Sequence, residues 1–366
     1  MSRRRSTAVG ATIPGTAVAP PRRTLDDVIV SAARPVPAVA GQRPLVGDGP
    51  LIGSFCTGYG GLDMAVQEVL GGSLAWVSDI DPGACAILAH RYPDVQNIGD
   101  LTVADWQYVI DTFGRPQIIT GGYPCQPFSI AGELKGTADE RHLWPDIARA
   151  LRVLRPRLAF FENVGNHLRL GFDTVLGDLA DIGFDAEWVV VRASDVGAPH
   201  ERRRLFLLAI AQDADGEPWV EWRQSASRQE EVGRARPDAR GRGRASAADP
   251  ASHGRGQGRA ESAGQQGRSS SAGDGAPDWD RFRAAVERWA AATGVDAPWA
   301  TNDRRRLAPA FVEWMMGVPA GHVTAVPGLS GPDQLKALGN GVVRQQGAHA
   351  LRLMLDRLAS WSTAAA

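Results

Sequence analysis

From residue 51 to residue 210, short apolar runs alternate with amphipathic stretches, and this alternation constrains the fold more than any other feature. The apolar runs predict strands over 51–55, 74–78, 117–120, 158–161, 187–192 and 205–210. Between them, helices are predicted over 82–91, 143–154 and 174–182. Strands that recur one helix apart imply an α/β fold, a mostly parallel sheet with helices on both faces. Such a sheet presents its chemistry beyond the carboxyl ends of its strands, so the polar residues in those turns carry the information.

The alternation stops near Gln212. Residues 223–276 are dominated by Arg, Gly, Ser, Ala and Gln, with ten arginines against five acidic residues over 223–268. A stretch of that composition buries too little apolar surface to offset the entropy of ordering it. Order is expected to resume near Trp279, where Phe282, Val286 and Trp289 recur at i, i+4 and i+7 as one face of a helix. Residues 307–361 are again helix-rich and apolar, whereas residues 1–48 read as a disordered lead rich in Pro, Ala, Arg and Ser. The first five residues are basic but lack the apolar core of a signal peptide, and no apolar run is long enough to span a bilayer. A soluble protein with no membrane association is expected, in a reducing cytoplasm that suits a free thiol. Cys56, Cys85 and Cys125 are spaced too widely for a metal site or a disulfide framework. The net charge of −1 gives no electrostatic hint of a nucleic-acid partner.

Two turns stand out. Residues 121–129, Gly-Gly-Tyr-Pro-Cys-Gln-Pro-Phe-Ser, follow the apolar pair Ile118-Ile119 and hold Cys125 between two prolines just past a strand end. A lone cysteine more often packs as a small hydrophobe, but flanking glycines and prolines with polar Gln126 and Ser129 argue against core filling here. Residues 54–62, Ser-Phe-Cys-Thr-Gly-Tyr-Gly-Gly-Leu, follow the first strand and open a helix. A glycine-rich turn of this kind lets the backbone approach a ligand closely, yet alone it does not separate NAD, FAD and S-adenosylmethionine (AdoMet). Asp79 and Asp81, about 20 residues on, suit a grip on ribose hydroxyls, and they also suit helix capping ahead of Pro82. Asp100 adds a carboxylate fitted to an adenine amino group.

Together these segments resemble the DNA (cytosine-5) methyltransferases, whose Pro-Cys-Gln carries the nucleophile. The resemblance implies an AdoMet-dependent, Rossmann-like fold with a small irregular target-recognition domain. The cofactor turn would be Thr57, Gly58, Tyr59 and Gly60, with Cys56 where the family usually has Phe. Asp79 would hold the ribose, Ile80 would pack on adenine, and Asp100 with Leu101 would read the adenine edge. Leu143, Asn340 and Val342 would complete the cofactor pocket, the last two from 334–343, which resembles the family's final motif. Residues 306–317 resemble the preceding structural motif.

Methylating cytosine C5 requires temporary loss of ring aromaticity, by a thiolate adding at C6 while a proton donor serves N3 and cations serve O2. By the resemblance Cys125 is the nucleophile, Glu162 binds N3 and the exocyclic amine, Arg204 reaches O2, and Arg202 helps position the catalytic loop. Arg203 should point away, since successive extended residues face opposite sides. The implied partner is double-stranded DNA, with the cytosine flipped out of the stack and a separately acting restriction endonuclease as a possible cognate. The implied domains are a catalytic unit of 49–211 and 303–361 and a target-recognition region of 212–302, in a monomer. A tRNA cytosine-5 methyltransferase is the nearest rival reading. A dinucleotide-dependent oxidoreductase is the rival from another class, and it leaves Cys125, Glu162 and Arg204 without a joint purpose.

Overall fold

The computed structural model describes residues 49–124, 143–212, 220–227 and 279–365, with side chains up to residue 360. Cys125 with the rest of its loop to residue 142, the lead at 1–48 and most of the Arg/Gly/Ser stretch lie outside the described residues.

Seven strands form one sheet in the order β3-β2-β1-β4-β5-β7-β6. They are β1 (Leu51–Phe55), β2 (Ser73–Ser78), β3 (Gln96–Asn97), β4 (Ile118–Gly121), β5 (Leu158–Val164), β6 (Phe184–Val191) and β7 (Arg204–Ala211). From β3 to β5 every pairing is parallel, as the alternation predicts. At the far edge β7 enters between β5 and β6 and runs antiparallel to both. The segment joining β6 to β7 holds only a short 3-10 turn, Ala193–Val196, and without a crossover helix the chain can return only antiparallel.

The predicted strands need three corrections. β5 does not stop at residue 161: Glu162, Asn163 and Val164 pair with Phe206, Leu205 and Arg204. The polar Glu-Asn pair ends the apolar run, but the ladder continues because β7 supplies partners. β6 starts at Phe184 rather than 187, and β3 has no apolar run to reveal it.

Both faces of the sheet are covered, so the strands are apolar on both sides. Along β7, Leu205, Leu207 and Ala209 enter one core cluster and Phe206 and Leu208 the other. On the first face lie α3 (Trp106–Phe113), α4 (Trp144–Leu154) and α5 (Phe172–Asp181). The second face carries α1 (Gly61–Leu70) and α9 (Arg344–Ala365), while α2 (Pro82–Arg91) also contributes Leu88 there. A third cluster joins α6 (Arg283–Thr293), α7 (Pro309–Met315) and α8 (Gly331–Asn340) around Trp289, Trp314 and Leu338. Val286 and Trp289 are buried in it as predicted, but Phe282 is 57% exposed. It belongs to a 3-10 turn, Asp280–Phe282, whose tighter winding takes it off the helix face.

Candidate active site

A cavity of ≈ 640 Å³ opens at the carboxyl ends of the parallel strands. Its walls are the turn after β1, the ends of β2, β4 and β5, and the 336–342 segment.

The β1 turn is fixed from below. Thr57 Oγ1 donates to Ser54 Oγ at 3.0 Å, and Gly58 and Gly60 adopt positive φ of 59° and 85°. Cys56 shares that left-handed region at φ 47°, uncommon for a residue with a Cβ. Burial pushes its thiol up to about 12, with Asp79 and Asp100 adding to the effect. Asp79 accepts from Gly58 N at 2.8 Å and from Asp81 N at 2.9 Å, so the acid at the end of β2 locks the glycine turn in place. Its carboxyl is held above the usual range, chiefly by burial. Asp81 caps α2, accepting from Gly83 N and Ala84 N, and pairs with Lys336 of α8 across the cavity. Capping and cavity lining therefore coexist in the Asp79–Asp81 turn. Ile80 is 69% exposed and lines the cavity, as do Asp100 and the buried Leu101.

Sequence reasoning missed two residues here. The Asn97 side chain accepts from Asp79 N and Gly99 N and donates to Asp79 O, stapling the β2 turn to the Asp100 turn. Asp63 of α1, 1% exposed, lies under the cavity and accepts from Thr120 Oγ1 of β4. A polar pair one residue from a capping pattern would have hinted at Asn97. Nothing local marks Asp63.

The other wall brings Glu162 and Arg204 together. Arg204 Nε lies 2.6 Å from Glu162 Oε1, with side chains 18% and 8% exposed. Burial raises the Glu162 carboxyl above its ordinary range, against the pull of Arg204 and Arg202. Its other oxygen faces Gly122, at the exit of β4. Two residues later the described chain ends at Pro124, the neighbour of Cys125. The base of that loop is anchored: the buried Tyr123 hydroxyl meets His167 Nε2 at 2.9 Å, and His167 Nδ1 meets Leu170 O at 2.9 Å.

Arg202 acts elsewhere among the described residues. Its Nη2 donates to Gly339 O at 2.9 Å and to Gly341 O at 2.5 Å. The alternation expected through Arg203 also needs correction in its reasoning. Arg203 is exposed, but Arg202 sits at φ 32°, so extended geometry begins only at Arg204. Gln346, fully buried on α9, donates to Val191 O and Arg202 O at 2.8 Å each and braces this bend. The 339–342 segment closes against the first turn, with Tyr59 OH donating to Val342 O at 2.5 Å. Asn340 and Val342 line the cavity there, and Leu143 lines it at the head of α4.

With sheet and cavity described, the chain can be classed as an α/β protein with a cavity at the carboxyl ends of its parallel strands and an ion-paired carboxylate beside a strand-end loop. More specifically, residues 52–247 match the profile of the C-5 cytosine-specific DNA methylases, and the chain belongs to that family. It is 29% identical over 181 residues to the type II methyltransferase M.HgiBI of Herpetosiphon aurantiacus, covering 47% of this chain and 40% of that protein. It is 34% identical over 146 residues to M.CviJI of Paramecium bursaria Chlorella virus IL3A, covering 38% of each. The chain thus spans less than half the length of these curated relatives. Among solved structures, S. pombe Dnmt2 methyltransferase superposes with a TM-score of 0.52 at 15% identity, covering 84% of this chain and 99% of that one. The Entamoeba histolytica methyltransferase EhMeth gives 0.53 at 15%, covering 85% and 99%. These two share the fold. Family membership sets aside the oxidoreductase reading. Among the described residues no cluster of His, Cys, Asp and Glu suits a metal, and no helix is long and apolar enough to cross a membrane.

Proposed function

We propose that this chain transfers a methyl group from AdoMet to C5 of cytosine in duplex DNA at a specific sequence, as part of restriction–modification or DNA protection. The observation that carries the reading is the buried Glu162–Arg204 pair facing the β4 exit that leads to Cys125. A carboxyl held above its usual range can keep a proton to give, which an ordinary exposed glutamate cannot do near neutral pH.

The cavity fits the cofactor class. Glycines at positive φ bring backbone close, Asp79 and Asp100 stand at adjacent strand ends, and Ile80 and Leu101 supply an apolar clamp. Thr57 to Gly60, Leu143, Asn340 and Val342 would complete the grip. AdoMet, when bound, supplies an electrophilic methyl group. The chain's own residues do the rest. Cys125 thiolate forms a bond to C6 of the flipped cytosine while Glu162 gives its proton to N3 and Arg204 neutralises O2. That leaves C5 as the nucleophile. After methyl transfer, loss of the C5 proton expels the Cys125 thiolate and restores the ring. Arg202 keeps the 339–341 segment closed over the cofactor side. Flipping the base costs a few kcal/mol, which contacts to the extruded ring must offset.

On this reading 49–211 and 303–361 form the catalytic unit, 212–302 the target region and 1–48 a lead, in a monomer of the cytoplasm. A restriction endonuclease would act separately. M.HgiBI and M.CviJI are named type II methyltransferases, which supports DNA over tRNA as the substrate. A duplex carrying 5-fluorocytosine tests the mechanism, because fluorine blocks the elimination at C5. A covalent protein–DNA adduct should accumulate, and Cys125→Ala should abolish it together with methyl transfer. An adduct that persists in the variant would move the nucleophile elsewhere.

A further inference from the structure

The segment entering α7 holds a motif that the proposed reaction does not use. Thr301 and Leu307 form an isolated antiparallel bridge, and Ala308 N donates to Ala300 O at 2.9 Å. The turn between them is held by a dense set of hydrogen bonds. Asn302 N donates to Arg306 O and Arg305 N to Asn302 O. The Asn302 side chain accepts from Arg304 N at 3.0 Å and from Arg306 N at 3.1 Å. These bonds are made by backbone and by one amide, so the side chains of Arg304, Arg305 and Arg306 take part in none of them. All three are exposed, and no ion pair among the described residues engages them. Asp303 offsets only one of the three charges.

Arg305 is held at φ 55°, a conformation that Gly or Asn adopts more readily. An arginine there costs stability, and folding gives it no ion-pair partner in return. Trp299, 52% exposed, and Leu307, 48% exposed, flank the turn with apolar surface. The turn also has a firm mount. It runs straight into α7, where Met315 O meets His200 Nε2 at 3.1 Å, two residues from Arg202. A rigid cationic tip tied to the active-site wall suits a polyanion that must be held in register with that wall.

We infer that the 301–307 hairpin is a phosphate clamp for duplex DNA. It supplies sequence-independent grip from the scaffold side of the chain, next to the region expected to read the target. The inference rests on the proposed DNA substrate. In that setting, removing one phosphate-binding arginine should lower the slope of log K against log salt by about 0.9.

The test compares full-length wild type, the triple variant Arg304→Ala/Arg305→Ala/Arg306→Ala, and Arg305→Gly. Binding of a fluorescent duplex is titrated over a range of salt, alongside AdoMet binding and thermal midpoint. The triple variant should lose about two to three units of salt slope while keeping AdoMet affinity. Arg305→Gly should lose about one unit with no fall in Tm, because glycine relieves the positive φ. A merely structural arginine would show the opposite, a lower Tm with the slope intact. An unchanged slope in the triple variant, with wild type binding and methylating DNA, overturns the clamp alone. In a parallel titration with tRNA, slope loss seen there and not with the duplex overturns the assignment to duplex DNA. A wild type that neither binds DNA nor forms the 5-fluorocytosine adduct fails the functional reading itself, which is a distinguishable result.

Discussion

Buried Glu162 and half-buried Cys56 are titratable groups lining the same cavity, and their neighbours set them different tasks. Glu162 has two arginines pulling its carboxyl down, yet burial still raises it. The sign follows directly. A raised carboxyl favours the protonated form in the folded chain, so its contribution to stability is fully present below the unfolded value and is lost as pH rises through the folded one. The proton needed at N3 is lost over the same interval. Single-turnover adduct formation should therefore decline as pH rises through that interval, and Glu162→Gln should cut turnover by about 10²-fold or more. Turnover equal to wild type would remove Glu162 from the chemistry. At Cys56 no cation among the described residues opposes the rise, and desolvation with Asp79 and Asp100 pushes its thiol up to about 12. At pH 8 its alkylation by iodoacetamide should run roughly three orders of magnitude slower than that of a free peptide thiol, which mass spectrometry of the labelled peptide measures. Labelling at the peptide rate would show that the site is open. Glu162 was legible as a site candidate because it follows an apolar run, whereas Cys56 stood out only as a departure from the family's usual Phe. Asp63 and Gln346 were not legible, since a buried polar side chain is betrayed only by partners far along the chain, and the half-buried Asn97 was missed although one partner, Gly99 N, is two residues away.

The elements divide the same way. β1, β2, β4 and α2 could be read because continuous apolar runs there are bounded by Gly, Pro or Asp. β3 could not, and the end of β5 was misjudged because antiparallel pairing with β7 is a long-range fact. The closure of the final motif on the first turn was expected only through the family resemblance, and packing now explains it. Gly341 has an ordinary φ of −76°, but a Cβ there would stand 1.8 Å from Tyr59 Cε1. Tyr59 cannot yield, being fully buried and bonded to Val342 O. Gly341→Ala should thus cost about 2–4 kcal/mol and weaken AdoMet binding. Gly339→Ala is the control, with nothing within 4 Å of its added Cβ. Thermal denaturation and a binding titration on both variants check this, and equal behaviour would mean that the segment does not pack against Tyr59.

At the scale of the whole molecule, a net charge of −1 concealed any bias toward a polyanion, because arginines and acids are distributed unevenly. The first core cluster lies wholly within 51–211, whereas the other two join residues of that stretch to residues beyond 278, the second through Val342 and α9 and the third through α6, α7 and α8. Both stubs of the Arg/Gly/Ser stretch are anchored: Trp222 packs against the α1–α9 cluster, and Trp279 stacks on Phe311 with centroids 5.4 Å apart. A loop between anchored stubs adds only a slowly growing closure cost, about 0.6 kcal/mol for each doubling of its length. Removing 228–272 should therefore leave Tm unchanged or slightly higher. If target choice resides in the segment around α6 and 294–302, the shortened protein should still methylate the same sites, read by methylation-sensitive sequencing of DNA from expressing cells. Methylation that persists but spreads to other sequences would make the insertion the reader. Loss of methylation with Tm intact would instead give it a role in binding, and its arginines would then join the 301–307 hairpin as phosphate contacts.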